Sequence, residues 1–295
     1  MFEIFGIPSA ALFGQLLIGL INGSFYALLS LGLAVIFGLL NIINFTHGAL
    51  YMVGAFLAWM LLSYFGVSYW WALLIAPIVV ACVGVAIERC FLRWIYKLDH
   101  LYGLLLTFGL ALVIQGLFQN EYGSAGQPYT IPDALQGGYA LGFMFLPVYR
   151  AWVVAASVAV CFATWLVIER TKLGSYLRAA TENPALVQAF GINVPRMITL
   201  TYAFGVALAA LGGVMAAPIY QVSPLMGSDL IIVVFAVVVI GGMGSIMGSI
   251  LTGFGLGVME GLTKVFYPEA SSTVIFVIMA IVLLIKPAGL FGRRG

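Results

Sequence analysis

Four polar side chains stand close together between two long apolar runs, in the stretch NIINFTHG (41–48). Asn44 or Thr46 can cap a helix that begins near His47, because their side-chain oxygens can accept hydrogen bonds from free backbone amides. The start of such a helix also presents the positive end of its dipole to an anionic group such as a carboxylate. This pattern indicates non-covalent binding of a polar solute, and we expect the stretch to lie on or beside the path of that solute.

A second interpretation of the same residues stays open. His47 can be a buried histidine whose hydrogen bonds are satisfied, and the asparagines can simply hold neighbouring helices together. For the cluster as a whole we favour the solute path, with Asn22 in the preceding apolar run as a further polar candidate.

The composition shows which solvent surrounds these residues. Of the 295 residues, 63% are hydrophobic and 7% are charged, whereas a soluble domain carries about 25% charged residues. Only helices and closed barrels can span lipid, and the apolar runs are continuous, without the alternation of barrel strands. The net charge of +2 is too small to indicate nucleic acid as a partner. We therefore predict an all-α fold, a polytopic transmembrane helical bundle with interrupted helices that forms one domain over 1–295.

Long apolar stretches recur along the whole chain, and a membrane span needs about 20 such residues. The first and the seventh stretch are long enough for two short crossings each, so we predict about eight to ten crossings. The stretches are 10–40, 48–66, 69–92, 101–118, 149–168, 197–217, 228–262 and 272–287.

Basic residues set the expected orientation, because they favour the cytoplasmic side of a membrane. The regions expected there are the cluster of Arg89, Arg93 and Lys97, the polar stretch 169–197, and the chain end with Arg293 and Arg294. The polar segment 119–148 contains no Lys or Arg, so we place it on the outer side of the membrane. With these sides, the span 197–217 ends on the outer side and the span 272–287 begins there. The stretch 228–262 must therefore leave and return to the outer side, as a hairpin or re-entrant pair with GGMGSIMG (241–248) as its inner turn.

Glycines recur at four- and five-residue spacing in the last part of the chain. Small residues so spaced let helix backbones approach closely in lipid, where no hydrophobic force draws helices together. We expect this helix packing at Gly244, Gly248, Gly253 and Gly257. Intramembrane charge is scarce: Glu260 and Lys264 are one turn apart and can pair. The lack of a clear mid-membrane acid weighs against a carrier driven by protons or sodium.

The stretch 169–197 is the most structured of the polar segments. Asn183 followed by Pro184 predicts the start of a helix, and Gly191 suits the left-handed position after it. So short a helix does not persist unaided in water, so the loop either folds against its own bundle or takes force from a partner. The sequence has no phosphate-binding loop, nucleophile elbow or metal-ligand spacing, so we expect no catalytic residue, metal or cofactor in this chain.

The stretch INGSFYALLSLGLAVIFGLLNIINFTHGALYMVGAF (21–56) resembles the N-terminal signature of the branched-chain amino acid ABC transporter permeases. RAATENPALVQAFGINV (178–194) is similar to their form of the ABC permease cytoplasmic loop, and the segments 241–262 and 286–292 match as well, so the resemblance covers nearly the whole chain. It implies that Ala179, Ala180 and Gly191 take coupling positions, with Arg178 where the general motif has Glu. The remaining residues of the expected coupling site are Glu182, Asn183 and Pro184.

The resemblance implies an inner-membrane permease subunit of a binding-protein-dependent importer for branched-chain amino acids. Its partners are then a second permease in a heterodimer, two cytoplasmic ATP-binding subunits that hold the ATP, and a periplasmic substrate-binding protein. A zwitterionic substrate needs partners for both charged ends, and the candidates are Asn22, Asn44, Thr46 and His47. Three alternatives stay open: an ABC permease for urea, another amide or another amino acid; a stand-alone secondary carrier or channel; and a structural subunit without a path.

Overall fold

The computed structural model describes residues 3–4, 7–40, 43–96, 98–142 and 144–292, most of which are helical. The predictions made for Asn41, Lys97, Arg293 and Arg294 lie outside these described residues. The helices are α1 Ser9–Leu40, α2 Thr46–Phe65, α3 Tyr69–Ile87, α4 Arg93–Ile95, α5 His100–Tyr122, α6 Val148–Arg170, α7 Lys172–Glu182, α8 Pro184–Ala189, α9 Val194–Ala216, α10 Met226–Gly241, α11 Ile246–Phe266 and α12 Val274–Ile285. A π-helical turn, Glu88–Leu92, joins α3 to α4.

Two short antiparallel strand pairs complete the described chain. Strand β1 Glu3–Ile4 pairs with β2 Ile7–Pro8, and β3 Gly138–Ala140 pairs with β4 Phe145–Pro147.

Within the described residues, seven helices are long and apolar enough to cross a membrane: α1, α2, α3 with its continuation, α5, α6, α9 and α11. The helices α10 and α12 are apolar but shorter, with 16 and 12 residues. The predicted all-α polytopic bundle is therefore confirmed. The stretch 10–40 forms the single helix α1, so it supplies one long span rather than two short ones.

Local sequence explains where the helices of the last third begin. The Asn183 side chain accepts a hydrogen bond from the Leu186 amide at 3.0 Å and Pro184 occupies the first turn, which confirms the predicted start of α8. The helix α10 ends at Gly241 and α11 begins at Ile246, so the predicted hairpin in 228–262 is confirmed as well. The Ser245 hydroxyl caps α11 by accepting from the Gly248 amide at 3.1 Å.

The helix α1 is the central element of the bundle. It packs against α11, α9, α10 and α6, and 83% of its most apolar segment is buried, compared with 11% for α5. The helices α2 and α3 both pack against α9. Since lipid accepts apolar side chains without cost, the exposed apolar surface of α5 suits a helix on the outside of a membrane bundle.

Candidate functional site

Asn44, Thr46 and His47 lie in a closed seam between helices, with at most 1% of each residue exposed. The His47 Nε2 atom forms a hydrogen bond with the Leu29 carbonyl of α1 at 3.0 Å. The Asn44 amide donates to the Tyr202 hydroxyl of α9 at 3.2 Å. None of the three residues lines either of the two cavities described below. In this conformation they connect helices, as the second interpretation expects, but the His47 Nδ1 and Asn44 Oδ1 atoms are buried without a hydrogen-bond partner among the described residues, so the hydrogen bonds of these side chains are not fully satisfied.

The predicted cap of α2 is wrong. The N-cap residue is Phe45, and no side chain of the described residues caps this helix start. The Thr46 hydroxyl instead donates to the Thr107 carbonyl of α5 at 2.8 Å. The Thr107 hydroxyl in turn accepts from the Phe45 amide at 3.2 Å and donates to the Ile43 carbonyl at 3.1 Å. Buried polar groups are nearly always hydrogen-bonded, and here the hydrogen bonds of the two hydroxyls connect the start of α2 to α5.

Asn22 belongs to a separate network around Glu260, a residue of α11 that is 8% exposed. The Asn22 amide donates to Glu260 at 3.3 Å, and the Tyr26 hydroxyl donates to the other carboxylate oxygen at 2.7 Å. The predicted pair of Glu260 with Lys264 is confirmed, with 2.5 Å between Nζ and Oε1. The Tyr220 hydroxyl completes the network by donating to the Asn22 side-chain oxygen at 2.9 Å.

A cavity of about 320 Å³, called the polar cavity below, opens beside this network. Its polar lining consists of Asn22, Tyr26, Tyr51, Tyr220, Gln221, Ser223 and Asp229. Phe25, Met226 and Leu230 add an apolar wall. The volume lies at the lower end of the range of about 300–1,000 Å³ that small-molecule sites occupy. A pocket of this size and mixed lining suits a small solute with both polar and aliphatic groups.

The polar cavity lies at the end of the bundle that carries the segment 119–148. Tyr220 lies between α9 and α10. Val222, two residues further along, forms two backbone hydrogen bonds with Gln127, at 2.8 and 2.9 Å. Desolvation of the Tyr220 hydroxyl and the nearby Glu260 carboxylate raise the pKa of Tyr220. Its hydroxyl therefore stays protonated at neutral pH and acts as a donor.

The helices α7 and α8 form a small folded unit at the opposite end, called the α7–α8 unit below. A buried cluster of Ala180, Val187 and Val194 packs the two helices against the start of α9. The Thr181 hydroxyl donates to the Gly38 carbonyl near the end of α1 at 3.1 Å, so the unit is fastened to the bundle. Gly191 has φ +83, which confirms the predicted left-handed residue after α8.

The other predicted coupling residues lie on the surface of the α7–α8 unit. Ala179, Glu182, Asn183 and Pro184 are exposed. Arg178 forms an ion pair with Glu169 of α6, with 3.1 Å between Nη1 and Oε2. Arg178 and Glu182 also line a second cavity of about 610 Å³, whose wall includes Gly38 and the turn between α10 and α11. The α7–α8 unit thus borders both the end of α1 and the turn of the hairpin.

The four glycines expected to serve helix packing each stand against another backbone. Gly253 faces Ala27, Gly257 faces Gly19 and Gly23, Gly248 faces Gly241, and Gly244 faces Gly38. At Gly257 an added Cβ would stand 2.4 Å from the Gly19 carbonyl oxygen. Only a residue without a side chain allows α11 and α1 to cross so closely.

Sequence reasoning missed the tyrosines of the two networks and of the polar cavity. Tyr26, Tyr51 and Tyr202 lie inside apolar runs, where the ring of a tyrosine packs in the core and the sequence does not show which group its hydroxyl would meet. For Tyr26 a signal was present, because it follows Asn22 by four residues and therefore shares its helix face. The hydrogen-bond partner of Tyr202 is far away in sequence, and the Tyr51 hydroxyl has no partner among the described residues, so no local pattern identifies either residue.

The fold and the polar groups define a multi-pass helical membrane protein with a polar cavity at one end and a folded helical unit at the other. The family model of the permease component of branched-chain amino acid transport systems matches residues 15–283. The chain therefore belongs to this family of branched-chain amino acid ABC permeases, which are transport subunits.

Individual relatives agree with the family over the length of the chain. The chain is 32% identical to BraD of Pseudomonas aeruginosa and 29% identical to LivH of Escherichia coli K12, both permease proteins of high-affinity branched-chain amino acid transport systems, over 95% of each chain. It is also 28% identical to LivM of Escherichia coli K12, another permease protein of this kind of system, over 90% of this chain and 67% of LivM.

Proposed function

We propose that the chain is an inner-membrane permease subunit that imports branched-chain amino acids with energy from ATP hydrolysed in partner chains. Two cytoplasmic ATP-binding subunits would supply the energy, and a periplasmic binding protein would deliver the substrate. LivH and LivM are both named as permeases of a high-affinity branched-chain amino acid system, and both are similar to this chain. This supports a heterodimer with a second permease. No catalytic residue, metal or cofactor is assigned to this chain.

The observation that carries the proposal is the exposed apolar surface of the α7–α8 unit. Leu186 and Phe190 are 54% and 77% exposed, although Ala180 and Val187 of the same unit are buried. The unit lies in the polar stretch 169–197, whose basic residues favour a cytoplasmic position. Exposed apolar groups in an otherwise polar segment mark a surface for protein interaction. A cytoplasmic ATP-binding subunit that docks here would cover both side chains.

The contacts of the α7–α8 unit suggest how force would reach the substrate. The unit is bonded to Gly38 at the end of α1 and borders the hairpin turn 242–245 across the second cavity. The helix α1 also carries Asn22, which lies sixteen residues before Gly38 and lines the polar cavity. A partner that moves the α7–α8 unit when it binds ATP would shift α1 and thereby change the polar cavity.

The seam at Asn44 and His47 has a place in the same mechanism. Its hydrogen bonds connect α1 with α2, and α2 with α9, in the closed conformation. If α1 moves along this seam, the polar side chains would become partners of the passing substrate. The proposal therefore keeps Asn44, Thr46 and His47 on the path in the open state, with Asn22 at its entrance.

Co-expression of the chain with its ATP-binding subunits and second permease tests the proposal. Phe190→Ser, and separately deletion of 183–190, should reduce the amount of ATP-binding subunit that co-purifies with the chain. Phe145→Ser serves as the matched control, because Phe145 is 62% exposed but lies in β4 at the opposite end. Equal co-purification with Phe190→Ser, the deletion and the control would contradict the proposed docking surface.

A further inference from the structure

We infer that the polar cavity binds an α-amino acid zwitterion, with the Asp229 carboxylate holding its ammonium group and the Tyr51 hydroxyl donating to its carboxylate. The inference rests on the proposed function and deepens it, because it names the residues that recognise the two charged ends of the substrate. It is carried by three features of one cavity: an acid without a cation, a buried hydroxyl without a partner, and an apolar wall.

Asp229 supplies the negative charge of the cavity. It is an exposed residue in the first turn of α10, and among the described residues it forms no ion pair. The other nearby acid, Glu260, is already balanced by Lys264 and accepts hydrogen bonds from Asn22 and Tyr26. A cationic group that enters the cavity therefore finds its free partner at Asp229.

Tyr51 supplies a donor for the opposite charge. It is completely buried and lines the cavity, yet its hydroxyl has no hydrogen-bond partner among the described residues. A buried polar atom left unpaired requires an explanation, because such atoms are nearly always satisfied. The backbone of Tyr51 packs directly against Gly213 of α9, and its ring lies beside Gly212. A substrate carboxylate would be the acceptor that this hydroxyl lacks.

The apolar wall adds a preference among solutes. Phe25, Met226 and Leu230 lie beside the two polar residues and offer an aliphatic side chain a surface to bury. Urea is neutral and has no aliphatic group, so it could use neither the charge of Asp229 nor this wall. The cavity therefore favours an aliphatic amino acid over urea.

Binding of radiolabelled leucine to the complete importer in lipid nanodiscs, without binding protein, tests the inference. Asp229→Asn and Tyr51→Phe should each weaken binding by about 10-fold or more, the effect of losing one hydrogen bond to a charged group. The amine analogue 3-methylbutylamine separates the two roles, because it keeps the ammonium group but has no carboxylate. Its competition with leucine should be weakened by Asp229→Asn and left unchanged by Tyr51→Phe.

Two control variants match these changes. Glu269→Gln neutralises another exposed acid, located after α11 and outside the cavity lining. Tyr129→Phe removes another buried hydroxyl without a partner, from a residue of the 119–148 segment whose pKa burial raises to about 12. Because the Tyr51 hydroxyl is unpaired within the described chain, its removal should not destabilise the fold, so a loss of leucine binding would report on the substrate.

The outcomes separate the inference from the proposed function. Wild-type importer that shows no ATP-dependent leucine uptake with its binding protein would contradict the proposed function itself. If uptake is present, the inference is overturned when leucine does not bind to the wild-type importer, or when Asp229→Asn and Tyr51→Phe bind it as tightly as the two controls. It is supported when both variants lose binding and only Asp229→Asn weakens competition by the amine.

Discussion

Replacement of Gly257 by alanine tests the close crossing of α1 and α11. The added methyl carbon would stand 2.4 Å from the Gly19 carbonyl oxygen and from the backbone of Gly23. Backbone atoms cannot rotate away, so the helices must separate by about 1 Å to restore a normal contact of about 3.5 Å. Overpacking of this kind costs about 1–3 kcal/mol, and the better helix propensity of alanine returns about 0.5–1 kcal/mol. We expect a net loss of up to about 2.5 kcal/mol in the free energy of unfolding.

Gly255→Ala is the matched control for this prediction. Gly255 lies in the same helix two residues away, is exposed, and would place its methyl group in open space. The control should therefore leave the stability unchanged or raise it by up to about 1 kcal/mol. Unfolding of the detergent-solubilised protein by heat or by sodium dodecyl sulfate, followed by circular dichroism, measures both variants. Equal stability of the two variants would refute the close crossing.

Three further changes test other contacts. Glu260→Gln should lower the free energy of unfolding by about 1.5–3 kcal/mol, and adding Lys264→Met should recover part of the loss in a double-mutant cycle. An unchanged stability of Glu260→Gln would count against the network around Glu260. Asn44→Ala leaves the Tyr202 hydroxyl unpaired and should lower the free energy of unfolding by about 1–3 kcal/mol. Adding Tyr202→Phe should reduce that loss, and strictly additive losses would argue against the hydrogen bond between Asn44 and Tyr202. Thr181→Val should lower leucine uptake per ATP hydrolysed while the ATP-binding subunits still co-purify, and an unaltered ratio would dissociate this hydroxyl from coupling.

Features that depend on near neighbours in the sequence could be predicted. The spans follow from unbroken apolar length, and the start of α8 follows from Asn183 and Pro184 because a cap acts within one helical turn. The left-handed Gly191 and the pair of Glu260 with Lys264 are equally local. The hairpin at 241–248 could be predicted because the spans before and after it are expected to meet the same side of the membrane, and because its glycines suit a turn.

Features that depend on distant contacts could not be predicted. The sequence groups Asn44, Thr46 and His47 together, but their partners lie on α9, α5 and α1, so the closed seam is set by tertiary packing. The missed cap has the same cause, since the Thr46 hydroxyl donates to the Thr107 carbonyl of α5 instead of accepting from a free amide of α2.

The polar cavity could not be predicted from the sequence for the same reason. Its unpaired groups, on Tyr51 and Asp229, are 178 residues apart and come together only because α2 packs against α10. A stretch of polar residues in an apolar chain therefore indicates where hydrogen bonds form, but not whether their partner is a helix or a substrate.

Leucine accumulation in proteoliposomes tests most directly whether this chain transports amino acids only when partner subunits supply energy from ATP. Vesicles with the complete importer, loaded binding protein outside and ATP inside should concentrate leucine above its external level. Vesicles with the two permeases alone should show no leucine flux. Leucine flux through the permeases alone, at a rate that ATP and the ATP-binding subunits do not change, would contradict the account.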